Sequence, residues 1–173
     1  ERQNNLDELT GLANRNRLRE RADLAVALAH KQHGNVALLY LDLDNFKRIN
    51  DRYGHAFGDE VLKAVARALS GVVGHDGVVA RIGGEEFAIL LPMMSLHHAR
   101  DLAERARSAI ASSRIRRASG ETLERITISL GVASASANQE PASLLEFADA
   151  ALYRSKQDGR DRVTVATSSG VVS

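Results

Sequence analysis

Val78-Val79-Ala80-Arg81-Ile82-Gly83-Gly84-Glu85-Glu86-Phe87-Ala88-Ile89-Leu90-Leu91 divides into two short apolar runs joined through a glycine pair. Glycine accepts the positive φ of a tight turn without steric cost, so the stretch predicts a β-hairpin with strands over Val78–Ile82 and Phe87–Leu91. A hairpin that only had to turn gains nothing from two adjacent carboxylates directly before an apolar strand, because they repel each other. Either Glu85 and Glu86 both point to water on a charged turn, or they serve a site. These residues alone leave the two readings level.

Working outward, Val36 to Leu43 (VALLYLDL) is a continuous apolar run with a β-branched start, short enough for a strand covered on both faces. Asp42 and Asp44 lie where it emerges, and they are expected to diverge, leaving only one able to share a site with a neighbouring strand end. Helical spacing follows Asn14, a candidate N-cap, at Leu18, Ala22, Ala25 and Ala29 and stops at Gly34. It returns at Val61, Leu62, Val65, Ala68 and Leu69, after Gly58 and Asp59, and ends at Ser70-Gly71. Leu96 to Ile110 and Leu144 to Leu152 predict two further helices, Ile126 to Leu130 a strand with one polar face, and Val163-Thr164-Val165 an edge strand. Helices mixed with hairpins give an α+β domain, with helices packed on a largely antiparallel sheet. The domain is read as residues 1–166, with 167–173 a disordered tail of Thr, Ser, Gly and Val.

Composition narrows the chemistry. Lys plus Arg number 23 against 22 Asp plus Glu, a formal charge of +1, so there is no global field for nucleic acid or an anionic membrane and any anion must be captured locally. No nucleic-acid partner and no membrane contact by this fragment are expected. Zero Cys excludes disulfides, thiolate zinc sites and a Cys nucleophile, and fits a reducing, cytoplasmic setting. A metal would need carboxylates or His, and the adjacent His97 and His98 point ~100° apart on a helix, which sets them at the surface. The first residue is Glu1 rather than Met, so the chain is expected to be part of a longer protein, membrane-anchored or not.

If the hairpin lies beside the Val36–Leu43 strand, Asp42 and Glu85 converge into a hard oxygen site of the kind Mg²⁺ accepts together with phosphate oxygens and water. Gly83 and Gly84 would let a ligand approach the backbone. Asn45-Phe46-Lys47 opens a turn whose N–H groups suit phosphates. Lys156 and Arg160, around Gly159 at the end of the last helix, read either as helix termination favoured by the dipole or as a phosphate clamp. Asn50 and Asp59 flank the Asp51–Gly58 loop, suited to a base edge. Ser129 reads as a buried hydroxyl with a backbone partner.

In this order and spacing, the residues resemble the GGDEF domain of bacterial diguanylate cyclases across nearly the whole chain. The resemblance rests on GGEEF (Gly83 to Phe87), DELTGLANR (Asp7 to Arg15), LDLDNFKRINDRYGHAFGDE (Leu41 to Glu60), SLGVA (Ser129 to Ala133) and ADAALYRSKQDGR (Ala148 to Arg160). It implies a fold similar to the palm of class III nucleotidyl cyclases and polymerases, with about five mainly antiparallel strands flanked by helices. It implies condensation of two GTP to cyclic di-GMP, with two Mg²⁺ or Mn²⁺ per half-site on Asp42, Glu85 and the Leu43 carbonyl. Glu85 is implied to help deprotonate the attacking hydroxyl. Asn45, Phe46, Lys47, Lys156 and Arg160 would hold the triphosphate, with Lys47 stabilising transition-state charge, and Asn50 and Asp59 would read guanine with His55 between them. Glu86 completes the signature in an open role.

One chain would hold one GTP, so catalysis would need a homodimer, with a fused upstream sensor controlling the encounter. Many members of the family carry an inhibitory product site, Arg-x-x-Asp, ending five residues before the signature. Here the positions read Gly74-His75-Asp76-Gly77, so that site is expected to be missing. The competing reading is a catalytically inactive GTP-binding module that regulates a partner domain.

Overall fold

The structure is a computed structural model that describes residues 4–117, 119–120, 125–136, 141–167 and 170–172. Among the described residues, five helices and six strands occur in the order α1 (Arg15–Gln32), β1 (Asn35–Leu43), α2 (Phe46–Tyr53), α3 (His55–Val73), β2 (Val78–Gly83), β3 (Glu86–Pro92), α4 (Leu96–Ser112), β4 (Ile128–Ser136), α5 (Pro141–Gln157), β5 (Val163–Thr167) and β6 (Gly170–Val172). The sheet order is β2-β3-β1-β4-β5-β6. All pairs are antiparallel except β4 with β5.

The expected α+β architecture follows from β1. Its apolar run is buried on both faces, as a central strand requires. Leu39, Leu41 and Leu43 face one core with Phe87, Ile89, Val61, Leu69 and Leu102, under α3 and α4. Val36 and Leu38 face the other with Ala88, Leu90, Leu18 and Ala148, under α1 and α5. Asn14 caps α1 by accepting the Arg17 N–H at 3.0 Å, as its residue type predicts.

Four expectations change. The segment after β1 is not a loop: α2 occupies it, and α3 starts at His55, so Gly58 and Asp59 lie inside a helix. Phe46, Ile49 and Tyr53 of α2 fall at helical spacing and rest on the core, but three apolar residues in an eight-residue helix are a short signal among polar neighbours. Gly54, at φ +91°, supplies the break between the two helices. Also, α3 runs through Ser70-Gly71 to Val73 and stops at Gly74. Gly83 and Gly84 are not among the positive-φ residues, so the hairpin turns without using that freedom; a Cβ on either would meet open space. Finally, Gly170–Val172 pairs antiparallel with β5 where a disordered tail is expected, because β5 otherwise presents an unpaired edge of N–H and C=O groups. No helix among the described residues is long and apolar enough to cross a membrane.

Two contacts position the site. At Gly131 a Cβ would sit 2.2 Å from the Ala148 carbonyl oxygen and 2.3 Å from the Leu152 nitrogen, so α5 rests directly on the β4 backbone. Ser155 then donates from α5 to the Leu130 carbonyl at 2.7 Å and is hydrogen-bonded to the Thr164 hydroxyl at 2.6 Å, which fixes the end of α5 over the end of β1.

The second contact ties the segment before α1 to the hairpin. Arg81 reaches Asp7 at 3.2 Å and donates from Nε to the Gly84 carbonyl at 3.0 Å, while its backbone N–H goes to Ala13 at 2.9 Å. Burial would raise the Asp7 carboxyl, but hydrogen bonds from Thr10 and the Arg81 charge outweigh it and hold it below the usual carboxylate range. A depressed folded-state value means stability that is present above the ordinary carboxylate range and lost as the pH falls through the folded value. Asp7→Asn is therefore expected to cost about 2 kcal/mol at neutral pH, with a gap to wild type that narrows in acid. Urea unfolding at neutral and acidic pH measures both.

Candidate active site

Asp42 is the second-last residue of β1, directly opposite Glu86 of β3 and Ser129 of β4. The Leu43 N–H donates to the Glu85 carbonyl at 3.3 Å, so the signature hairpin lies against the end of β1 as expected. Lys156, on the last turn of α5, forms an ion pair with Asp42 Oδ2. Asp42 Oδ1 is buried with no partner. Burial pushes the Asp42 carboxyl up; the Lys156 hydrogen bond and charge pull it back, and the charges of Glu86 and Glu85 push it up again, leaving it above the usual range.

Asp44 does not diverge to the opposite side from Asp42. Both turn toward the face covered by α5, and their partners distinguish them. Asp44 Oδ1 accepts from Ser129 at 2.6 Å, and Oδ2 accepts from Thr127 at 2.7 Å and from the Asp161 N–H at 3.0 Å. Its capacity is used in joining β1 to β4 and to the turn after α5. Ser129 is buried as expected, but its partner is this carboxylate rather than the backbone, because a charged acceptor two strand positions from Asp42 is already in reach.

Phosphate-binding candidates cluster around the same strand end. Asn45, at φ +57°, precedes α2, so the Phe46 and Lys47 N–H groups have no helical partner, while the Arg48 N–H donates to the Asn45 carbonyl at 3.1 Å. Lys47 is exposed there and lines an open cleft with Asn45, Arg48, Asp51 and Arg52. Arg160 is exposed just beyond α5, its backbone N–H held by the Ser155 carbonyl at 2.9 Å. Lys156 is engaged with Asp42, so the clamp candidate and the metal candidate occupy each other.

The base-edge candidates fall on either side of Gly54 rather than on a loop. Asn50 is on α2, while His55 and Asp59 are one turn apart and exposed at the start of α3. Asn50 Oδ1 is buried without a partner, and a Cβ on Gly58 would sit 1.9 Å from it, so the backbone of α3 presses on the amide. Among the described residues, the buried side-chain atoms without a partner belong to Asn5, Asp42 and Asn50. Such atoms cost free energy unless something satisfies them, and Asp42 and Asn50 lie where a ligand is expected.

Two residues enter the site without having been singled out as candidates. Arg81 braces the hairpin turn through Gly84. Tyr40 donates to Glu86 Oε2 at 3.0 Å, and its own hydroxyl proton is held tightly, by burial first and then by that carboxylate. A tyrosine two positions before Asp42 in an otherwise aliphatic strand was the available signal.

The donor set is oxygen only, and an orphaned carboxylate oxygen pressed by like charges fits a hard divalent cation. Among the described residues no three His, Cys, Asp or Glu side chains converge, so a cation here would draw further ligands from backbone, water or phosphate.

The family model described as diguanylate cyclase, GGDEF domain, matches residues 4–162. Diguanylate cyclase DgcP of Pseudomonas aeruginosa is 47% identical over 160 residues, covering 92% of this chain and 24% of the relative. Diguanylate cyclase DgcM of Escherichia coli (strain K12) is 43% identical over 164 residues, covering 92% of this chain and 38% of the relative. The chain thus spans less than half the length of these two curated relatives. The crystal structure of the GGDEF domain of DgcB from Caulobacter crescentus, in complex with c-di-GMP, matches with a TM-score of 0.90 at 38% identity, covering 95% of this chain and 97% of that one. With its signature hairpin set against a buried aspartate at the end of the central strand, the chain belongs to the GGDEF-domain family of diguanylate cyclases.

Proposed function

We propose that this domain condenses two GTP molecules into cyclic di-GMP and releases two pyrophosphates. In each of two equivalent steps the 3′-oxygen of one GTP bonds to the α-phosphorus of the other, the bond to the departing pyrophosphate oxygen breaks, and the hydroxyl proton passes to a base. The observation that carries the reading is Asp42, a buried carboxylate with one oxygen on Lys156 and the other unpartnered, beside the two hairpin glutamates.

Asp42, Glu85 and the Leu43 carbonyl would hold Mg²⁺ or Mn²⁺, two per half-site. When bound, such ions neutralise phosphate charge and acidify a coordinated hydroxyl. Glu85 is the base nearest the turn. The N–H groups at the start of α2, with Lys47 and Arg160, hold the triphosphate, and Lys47 faces the charge that develops as pyrophosphate leaves. Lys156 neutralises Asp42, and with a cation on that carboxylate its ammonium would be free to pair with phosphate. Gly83 and Gly84 leave the hairpin surface open to the substrate, a property their absence of Cβ provides directly. The Asn50 oxygen accepts from a guanine N–H, with Asp59 completing the edge and His55 bordering it.

Each GTP must attack the other, so two copies of the chain face one another across a twofold axis and neither is active alone. Specific activity therefore rises with protein concentration. The inhibitory motif positions carry neither charge. Gly74 ends α3 at φ +54°, and a Cβ on Gly77 would lie 2.2 Å from the Leu90 carbonyl oxygen, so a carboxylate does not fit there without displacing β3.

Incubation with GTP and Mg²⁺, followed by separation of nucleotides by mass, tests the reaction. Asp42→Ala and Glu85→Ala are each expected to lower product formation at least ~10²-fold with the fold retained. Activity within a few-fold of wild type in either variant contradicts the assignment, and GTP binding without pyrophosphate release in the wild type points to the inactive regulatory module instead.

Asn50→Ala, Asp59→Ala and Gly58→Ala are expected to raise the GTP concentration needed and to erode discrimination against ATP, since a site built to hydrogen-bond one base rejects another by leaving buried groups unpaired. Competition between the two nucleotides measures it.

Added cyclic di-GMP is expected to slow initial rates only where it competes with GTP. Inhibition that persists at saturating GTP would show a separate product site.

A further inference from the structure

Tyr40 is the one side chain with a polar group in the run Val36–Leu41, and it lies on the same face of β1 as Asp42. Across the β1–β3 register Tyr40 is opposite Ala88 and Asp42 is opposite Glu86, so Tyr40 is diagonal to Glu86 and Asp42 directly beside it. Tyr40 lines a cavity whose apolar wall is Leu18, Ala22, Leu38, Ile82 and Leu144 and whose charged lining is Arg15, Arg19, Glu146 and Asp149. Its hydroxyl donates to Glu86 Oε2 at 3.0 Å.

A half-buried tyrosine that only needed to satisfy its hydroxyl has water available. This one instead restrains a charged side chain of the signature, and it treats the two glutamates differently. Glu85 sits in the turn, while Glu86 is tied to the strand that carries Asp42. A carboxylate free to swing into solvent is screened, whereas one fixed beside a buried aspartate acts on a bound cation at short range. Groups that orient the residues around a metal commonly change its affinity ten- to a hundredfold when removed.

We propose that Tyr40 is a positioning residue for divalent-cation binding: its hydroxyl fixes the Glu86 carboxylate beside Asp42, adding a negative charge to the cation site without making Glu86 a ligand. This rests on the reading of Asp42 as a metal ligand.

The test is equilibrium binding of Mn²⁺ without nucleotide, followed by calorimetry or by the spin-resonance signal of free Mn²⁺, on wild type, Tyr40→Phe, Glu86→Gln, the double variant and Asp42→Asn, with thermal unfolding of each. Tyr40→Phe is expected to weaken Mn²⁺ binding roughly tenfold, Glu86→Gln by at least as much, and the double variant no further than Glu86→Gln alone, because the tyrosine acts only through the glutamate. Unchanged affinity in Tyr40→Phe or in Glu86→Gln overturns the proposal, as do losses that multiply in the double variant. Wild-type affinity in Asp42→Asn overturns the metal reading itself and this proposal with it. Loss in Asp42→Asn together with an unchanged Tyr40→Phe overturns only the part assigned to Tyr40. Should Tyr40→Phe not fold, the Glu86→Gln affinity decides.

Discussion

A carboxylate is buried at the end of the central strand, and the last turn of α5 brings it an ammonium. Burying Asp42 alone would be prohibitive, and removing one partner of such a pair typically costs 3–5 kcal/mol because the other charge is left stranded. Much of the molecule is arranged around keeping Lys156 where it is. The absence of a side chain at Gly131 lets α5 settle onto the β4 backbone, and Ser155 locks it there through Leu130 and Thr164. The same pair leaves Asp42 half-compensated, with one oxygen served and one not.

The acidic residues near this strand end divide their duties by what their neighbours supply. Asp44 is saturated by Ser129, Thr127 and the Asp161 N–H, and so is a joint between strands. Asp161 itself takes Arg107 at 2.8 Å and Arg125 at 3.3 Å, which holds the turn after α5 against α4. Glu86 is tied by Tyr40. Asp42 alone keeps a buried oxygen in reserve, at the cost of a carboxyl harder to ionise than usual. Asn50 repeats the pattern with a neutral oxygen under the backbone of α3. Unsatisfied groups of this kind are where a folded chain holds capacity for a ligand.

Much of this was legible beforehand. The aliphatic run of β1 announces a doubly covered strand, the split run around Gly83-Gly84 announces a hairpin, and apolar residues at helical spacing announce α1, α3, α4 and α5. The brevity of α2 hid it: Phe46, Ile49 and Tyr53 do fall at helical spacing, but three apolar residues among polar ones make a short signal. That omission set Asn50 and Asp59 at the two ends of a loop with His55 inside it, when the folded chain sets all three on two helices that meet at Gly54. The glycines of the hairpin were read for their backbone freedom, yet their contribution is an uncluttered surface.

What the amino-acid order determined by itself is local: which segments bury, where carboxylates and amides occur, and that a chain with no cysteine has only oxygen and His nitrogen to offer a metal. These follow from periodicity and residue type, which act over a few neighbours. What only the tertiary structure decided is which polar groups meet. Lys156 lies 114 residues from Asp42, Ser129 lies 85 from Asp44, Arg81 lies 74 from Asp7 and Glu86 lies 46 from Tyr40. No short-range pattern carries that information, because each pairing is set by strand order, register and the close seat of α5 on β4. The distinction between a carboxylate that joins strands and one left with an open oxygen therefore exists only once the sheet has assembled.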